Sequence, residues 1–121
     1  MQDQELIVKL AQTLYDHKAG DISALKVGHL TVLCDYMVIC SGRSASQVSA
    51  LAEDVDELMA AEGIPLRRND GAREGRWIVL DYGHILVHIF HRDDRAFYNL
   101  DRLWNDGTNA IDLPFDQTVK D

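Results

Sequence analysis

Apolar positions in this chain follow two periods, and the switch between them predicts the elements. Leu6, Ile7, Leu10, Ala11 and Leu14 recur at helical spacing and mark one face of an amphipathic helix. Asp3 is placed to cap that helix and Gly20 to stop it. Ile22–Leu33 is rich in Ile, Leu and Val without helical period, and is expected to be extended with a break at Gly28-His29. Asp35–Ser41 is an almost wholly apolar run, the pattern of a strand covered on both faces. Ser41-Gly42 ends it, and Ser44 with Gln47 forms a Ser-x-x-Gln capping box. The following helix buries Val48, Leu51, Ala52, Val55, Leu58 and Met59 and turns Glu53, Asp54, Asp56 and Glu57 to water. Gly63 and Pro65 end that helix.

A strand, a helix and a further strand predict a βαβ unit. Leu66–Glu74 is expected to be a loop with a short edge strand at Leu66–Arg68. Trp77–Asp81 and His84–His91 then read as a β-hairpin around Asp81-Tyr82-Gly83, because Gly83 tolerates the positive φ of a tight turn. A short helix should follow, with Phe97, Leu100, Leu103 and Trp104 at helical spacing. The tail from Thr108 to Asp121 has Pro114 and little period, and is expected to be irregular or docked.

These elements amount to one α/β domain with a mixed sheet and flanking helices. The 121 residues suit a single core. With 20 acidic and 12 basic residues the net charge is -8, which repels phosphate backbones and suits a basic protein partner better than nucleic acid. Cys34 and Cys40, if on one extended segment, are about 20 Å apart, too far for a disulfide. They fit small buried side chains in a reducing, cytoplasmic setting. No basic leader opens the chain, and no apolar run approaches the roughly 18 residues of a membrane span.

Catalytic chemistry finds little support. On a strand His84 and His88 share a face about 13 Å apart while His91 points away, too dispersed for zinc bonds of roughly 2 Å. The Asp-x-Asp pair, Asp54 and Asp56, falls on a helix, where i and i+2 diverge by about 200°. Ser41-Gly42-Arg43 before a helix superficially suits a phosphate. Both cysteines have apolar neighbours that raise a thiol pKa. Recognition fits better: Trp77, Tyr82, Tyr98 and Trp104 interleave with Arg76, Arg92, Arg95 and Arg102, the residue types of binding hot spots.

Several segments in fixed order resemble the ribosomal silencing factor family (RsfS, Iojap-like). They are Asp35-Tyr-Met-Val-Ile-Cys-Ser-Gly-Arg-Ser, Gln47-Val, Gly75-Arg-Trp-Ile-Val-Leu-Asp-Tyr-Gly, Val87-His-Ile-Phe and Arg95-Ala-Phe-Tyr-Asn-Leu-Asp-Arg-Leu-Trp. The resemblance spans Leu6 to Gly107, which makes residues 1–107 the domain and 108–121 a C-terminal tail. Ser46 stands where the family usually has Arg, and Asp101 where it usually has Glu.

The resemblance implies a homodimer with a nucleotidyltransferase-like topology but without the catalytic carboxylates; no cofactor or metal is expected. It implies binding to the large ribosomal subunit through a basic ribosomal protein of the uL14 type. That would block joining of the small subunit and repress translation in starvation or stationary phase. Partner-facing residues by this resemblance are Trp77, Tyr82, His88, Tyr98, Leu100 and Leu103, with Arg76 and Asp81 at the rim. The alternative is a divergent nucleotidyltransferase-like enzyme that takes a phosphate at Ser41-Gly42.

Overall fold

The structure is a computed structural model and describes residues 3–71, 76–98 and 100–117; the side chains of residues 96–101 also lie outside the description. Its elements in order are α1 (Asp3–Asp16), β1 (Gly20–Lys26), β2 (Tyr36–Gly42), α2 (Ala45–Ala61), β3 (Arg68–Asp70), β4 (Trp77–Asp81), β5 (Ile85–His91), α3 (Arg92–Tyr98) and α4 (Leu100–Trp104). The five strands form one mixed sheet in the order β1-β2-β5-β4-β3. β2 and β5 are parallel, and the other pairings are antiparallel.

The parallel neighbour of β2 is therefore β5, not the strand that directly follows α2. Two features dictate this arrangement. The Asp81–Ile85 turn locks β4 against β5, with Tyr82 N–H donating to the Ile85 carbonyl. β5 is also nearly all buried and belongs in the middle, whereas β3 (Arg68, Asn69, Asp70) is wholly exposed and fits only an edge.

Alternation along the strands divides the core in two. Ile22, Ala24, Val38, Cys40, Ile78, Leu80, Ile85, Val87 and Ile89 face α1 and α2. The expected stripe of α1 is buried in full, and in α2 Val48, Leu51, Ala52, Val55 and Met59 are buried while Leu58 is half-buried. On the opposite face Leu25, Met37, Ile39 and Phe90 pack with Val27 and Cys34. Both thiols are free and buried, and burial pushes Cys34 up to about 11 and Cys40 up to about 12.

Local chemistry sets the helix ends. Ser44 Oγ accepts from Gln47 N–H at 3.1 Å, and Gln47 Oε1 accepts from Arg43 N–H at 2.6 Å, so the capping box reaches one residue further back than expected. Such a cap is worth about 1 kcal/mol. At the other end Gly63 has φ 78, with Ile64 N–H bonded to the Met59 carbonyl and Gly63 N–H to the Ala60 carbonyl. This is a Schellman closure that a left-handed residue makes possible.

Gly20 does not stop α1. The helix ends at Asp16, Lys18 takes the left-handed turn (φ 71), and Gly20 opens β1. The tail is docked: Ala110 bridges Leu25, and Ile111 N–H donates to the Ala24 carbonyl. Phe115 stacks on Tyr15 with centroids 4.3 Å apart. The Gln117 amide clasps Ile22 at both its N–H (2.6 Å) and its carbonyl (2.8 Å).

Candidate partner-binding face

Two helices cover one face of the sheet, and the other is only partly covered. On that second face β4 and β5 place Trp77 opposite Phe90, Val79 opposite His88 and Asp81 opposite Leu86. Trp77 stacks on the buried Phe90 ring at 4.9 Å and 23°, while the indole itself remains half-buried. Its Nε1–H donates to His88 Nδ1 at 3.1 Å. Phe90 thus fixes the height of the indole and His88 fixes its rotation, which leaves a rigid aromatic surface with little entropy to lose on docking. Val79 and Leu86 are also half-buried there.

The proposed partner residues do not share one environment. Trp77 is half-exposed, but Tyr82 is 3% exposed on the opposite face, where its hydroxyl donates to Asp56 Oδ1 at 2.9 Å. Its ring packs in the core with residues of α1 and α2 and presents almost no surface. The sequence could not show this because Asp56 lies a helix and two strands away. Asp56 in turn is half-buried, not freely solvated.

His88 lies on the second face but is only 7% exposed, and burial pushes its imidazole down to about 4. Arg76 is exposed and makes a bidentate pair with Asp94 at 2.8 and 2.9 Å. Asp81 accepts from Gly83 N–H at 2.8 Å and holds the hairpin turn. Leu103 is 68% exposed. The side chains of Phe97, Tyr98 and Leu100 lie outside the described residues.

One feature of this surface escaped the sequence reading. Leu30, Val32 and Leu33, placed there in extended structure, instead stand exposed in a loop after β1. His29 Nε2 pins that loop to Asp106 at 2.7 Å, and Asn109 bonds both the Lys26 and Trp104 carbonyls. The loop that carries the exposed leucines and valine is thus tied through His29 to the segment after α4. The available signal was a run of apolar residues next to Gly28 that fits neither period.

Among the described residues the acidic and histidine candidates stand apart. Asp54 lies 3.8 Å from His17 while Asp56 holds Tyr82, so the two carboxylates diverge on α2. Among the described residues no three His, Cys, Asp or Glu side chains are grouped to hold a metal. Nor is any helix among them long and apolar enough to cross a membrane.

Comparison with known proteins adds lineage to this geometry. The family model "Ribosomal silencing factor during starvation" matches residues 1–121, including the docked tail. The chain is 40% identical over 114 residues to Ribosomal silencing factor RsfS of Bacillus subtilis, covering 93% of this chain and 96% of that one. It is 32% identical over 109 residues to the chloroplastic protein Iojap of Zea mays, covering 90% of this chain and 47% of that protein. A crystal structure of a Chromobacterium violaceum protein, CV0518, superposes with a TM-score of 0.81 at 31% identity, covering 98% and 97% of the two chains. A Bacillus halodurans structure gives 0.78 at 34% identity, covering 92% and 100%.

Proposed function

The chain belongs to the ribosomal silencing factor family, and from that premise we propose that it silences translation by occlusion. It docks as a homodimer on the large ribosomal subunit through a basic, uL14-type ribosomal protein, and in the cytoplasm of starved or stationary cells prevents the small subunit from joining. No chemical step is required, since a bound domain need only occupy the joining face.

The observation that carries this reading is Trp77. It is a half-exposed indole held rigid by Phe90 and His88, on the sheet face that the α1–α2 layer leaves open. Leu30, Val32, Leu33 and Leu103 are further exposed apolar side chains that a partner could cover. A net charge of -8 steers the protein toward a basic partner, and an interface of roughly 800 Å² per side is within reach of a domain this small.

Sedimentation of ribosomal subunits through sucrose gradients, with wild type and Trp77→Ala, tests the proposal. Wild type should travel with the large subunit and deplete joined ribosomes. Trp77→Ala should bind roughly 30-fold more weakly, as loss of an aromatic hot spot worth about 2 kcal/mol implies. Wild-type protein that leaves joining unchanged at a large excess over subunits refutes occlusion.

A further inference from the structure

β2 and β5, the parallel strands, end side by side at the register partners Gly42 and His91. From there the chain departs to opposite faces of the sheet. α2 packs on the face of α1, whereas α3 lies on the other, where Arg95 reaches Ser41 Oγ at 3.4 Å. In open α/β sheets the crevice beyond the carboxyl ends of such strands is the usual ligand position, because neither departing connection fills it. Here it holds a polar cleft of about 590 Å³, within the roughly 300–1,000 Å³ typical of small-molecule sites.

The cleft gathers positive charge in an otherwise acidic protein. The residue directly after each parallel strand is an arginine, Arg43 after β2 and Arg92 after β5, and both line the cleft. Lys18 comes from the α1–β1 turn, where its left-handed backbone is tied down by Gln47 Nε2 donating to its carbonyl at 3.1 Å. Among the described residues Arg92 meets only the exposed Asp93, at 3.9 Å. Three cations from three separate connections thus border one cavity.

We propose that this cleft binds a small molecule bearing a diphosphate, with Arg43 and Arg92 gripping the phosphate oxygens and Lys18 closing the far side. Two guanidinium forks match two adjacent phosphates better than a single charge does. Asp21 and Asp116 share the lining. Their carboxylates oppose a continuous polyanion such as RNA, and they can accept hydrogen bonds from the hydroxyl or amine groups of a nucleotide-like body. Trp77 is not among the residues that line it.

The full-length chain is titrated with inorganic pyrophosphate, ADP and GDP by calorimetry and thermal denaturation, with a short single-stranded RNA as comparison. Saturable stabilisation by pyrophosphate is expected. Tighter binding of a nucleoside diphosphate identifies a nucleotide as the source, and equal binding identifies free diphosphate; both support the site. Arg43→Gln and Arg92→Gln, exposed positions that leave the fold intact, should each weaken binding about tenfold, the loss expected for one charge-assisted contact. Three results overturn the proposal: no binding at millimolar pyrophosphate or nucleotide, affinity unchanged in the double variant, or binding of RNA alone.

Discussion

Across the β4–β5 hairpin, Trp77 Nε1–H donates to His88 Nδ1 at 3.1 Å. That bond sets the tautomer: Nδ1 accepts, so the proton of the neutral ring resides on Nε2. Nε2 is buried and has no partner in the described structure. The ring that orients Trp77 is therefore held neutral at a cost to stability, and this cost can be measured.

Burial lowers the His88 pKa to about 4, against 6.5 in the unfolded chain. Between those values the unfolded state binds a proton that the folded state refuses, so stability is full above 6.5 and falls as pH drops toward 4. The loss across that window is about 3 kcal/mol. Urea denaturation at several pH values within it should show the slope, and His88→Phe should flatten it. An equal slope in the variant would assign the acid sensitivity to other groups.

Tyr82 and Trp77 should separate in experiment although they lie five residues apart. Tyr82→Phe removes the hydroxyl that Asp56 accepts from. It should lower unfolding stability by about 1–2 kcal/mol and leave co-sedimentation with the large subunit unchanged. Weaker binding at full stability would instead place the Tyr82 hydroxyl against the partner.

Gln117→Ala should loosen the far end of the tail from β1. Two partly buried hydrogen bonds to Ile22 disappear, and the strand's N–H and carbonyl lose their partner. A loss of about 1–3 kcal/mol in chemical denaturation is expected. Faster amide exchange at Ile22, with β5 amides unchanged, would localise the effect to the sheet edge.

What the sequence shows clearly is whatever local periodicity or local capping determines. The α1 stripe, the Ser44–Gln47 cap, the Gly63 closure and the β4–β5 hairpin all depend on residues within a few positions of one another. What it hides is set by distant partners. Nothing near Tyr82 announces Asp56, and nothing near Gln117 announces Ile22. Gly20 looked like a helix stop because glycine commonly ends helices, but Lys18 adopts the left-handed conformation itself.

The candidate face was half legible for the same reason. Trp77 stood out as an aromatic beside Arg76 near a strand end, and it is half-exposed. His88 alternated correctly onto the same face, but only the packing around it shows that it works from beneath the indole. Leu30, Val32 and Leu33 carried the composition of core residues. Their exposure follows from the turn at Val27–Thr31, where Leu30 and Thr31 N–H both bond the Val27 carbonyl and lift the loop away from the sheet.

The pairing of the docked tail with β1 has a consequence for synthesis. β1 spans residues 20–26, yet its outer edge is completed by Asn109, Ala110, Ile111 and Gln117, and its inner neighbour β2 waits for β5. Contacts this far apart in sequence form late, and the last of them need residues 109–117. A chain that has not yet presented residues 109–117 leaves the outer edge of β1 unpaired. The tail thus guards the edge of the sheet, since an unpaired β1 would offer its backbone to another chain.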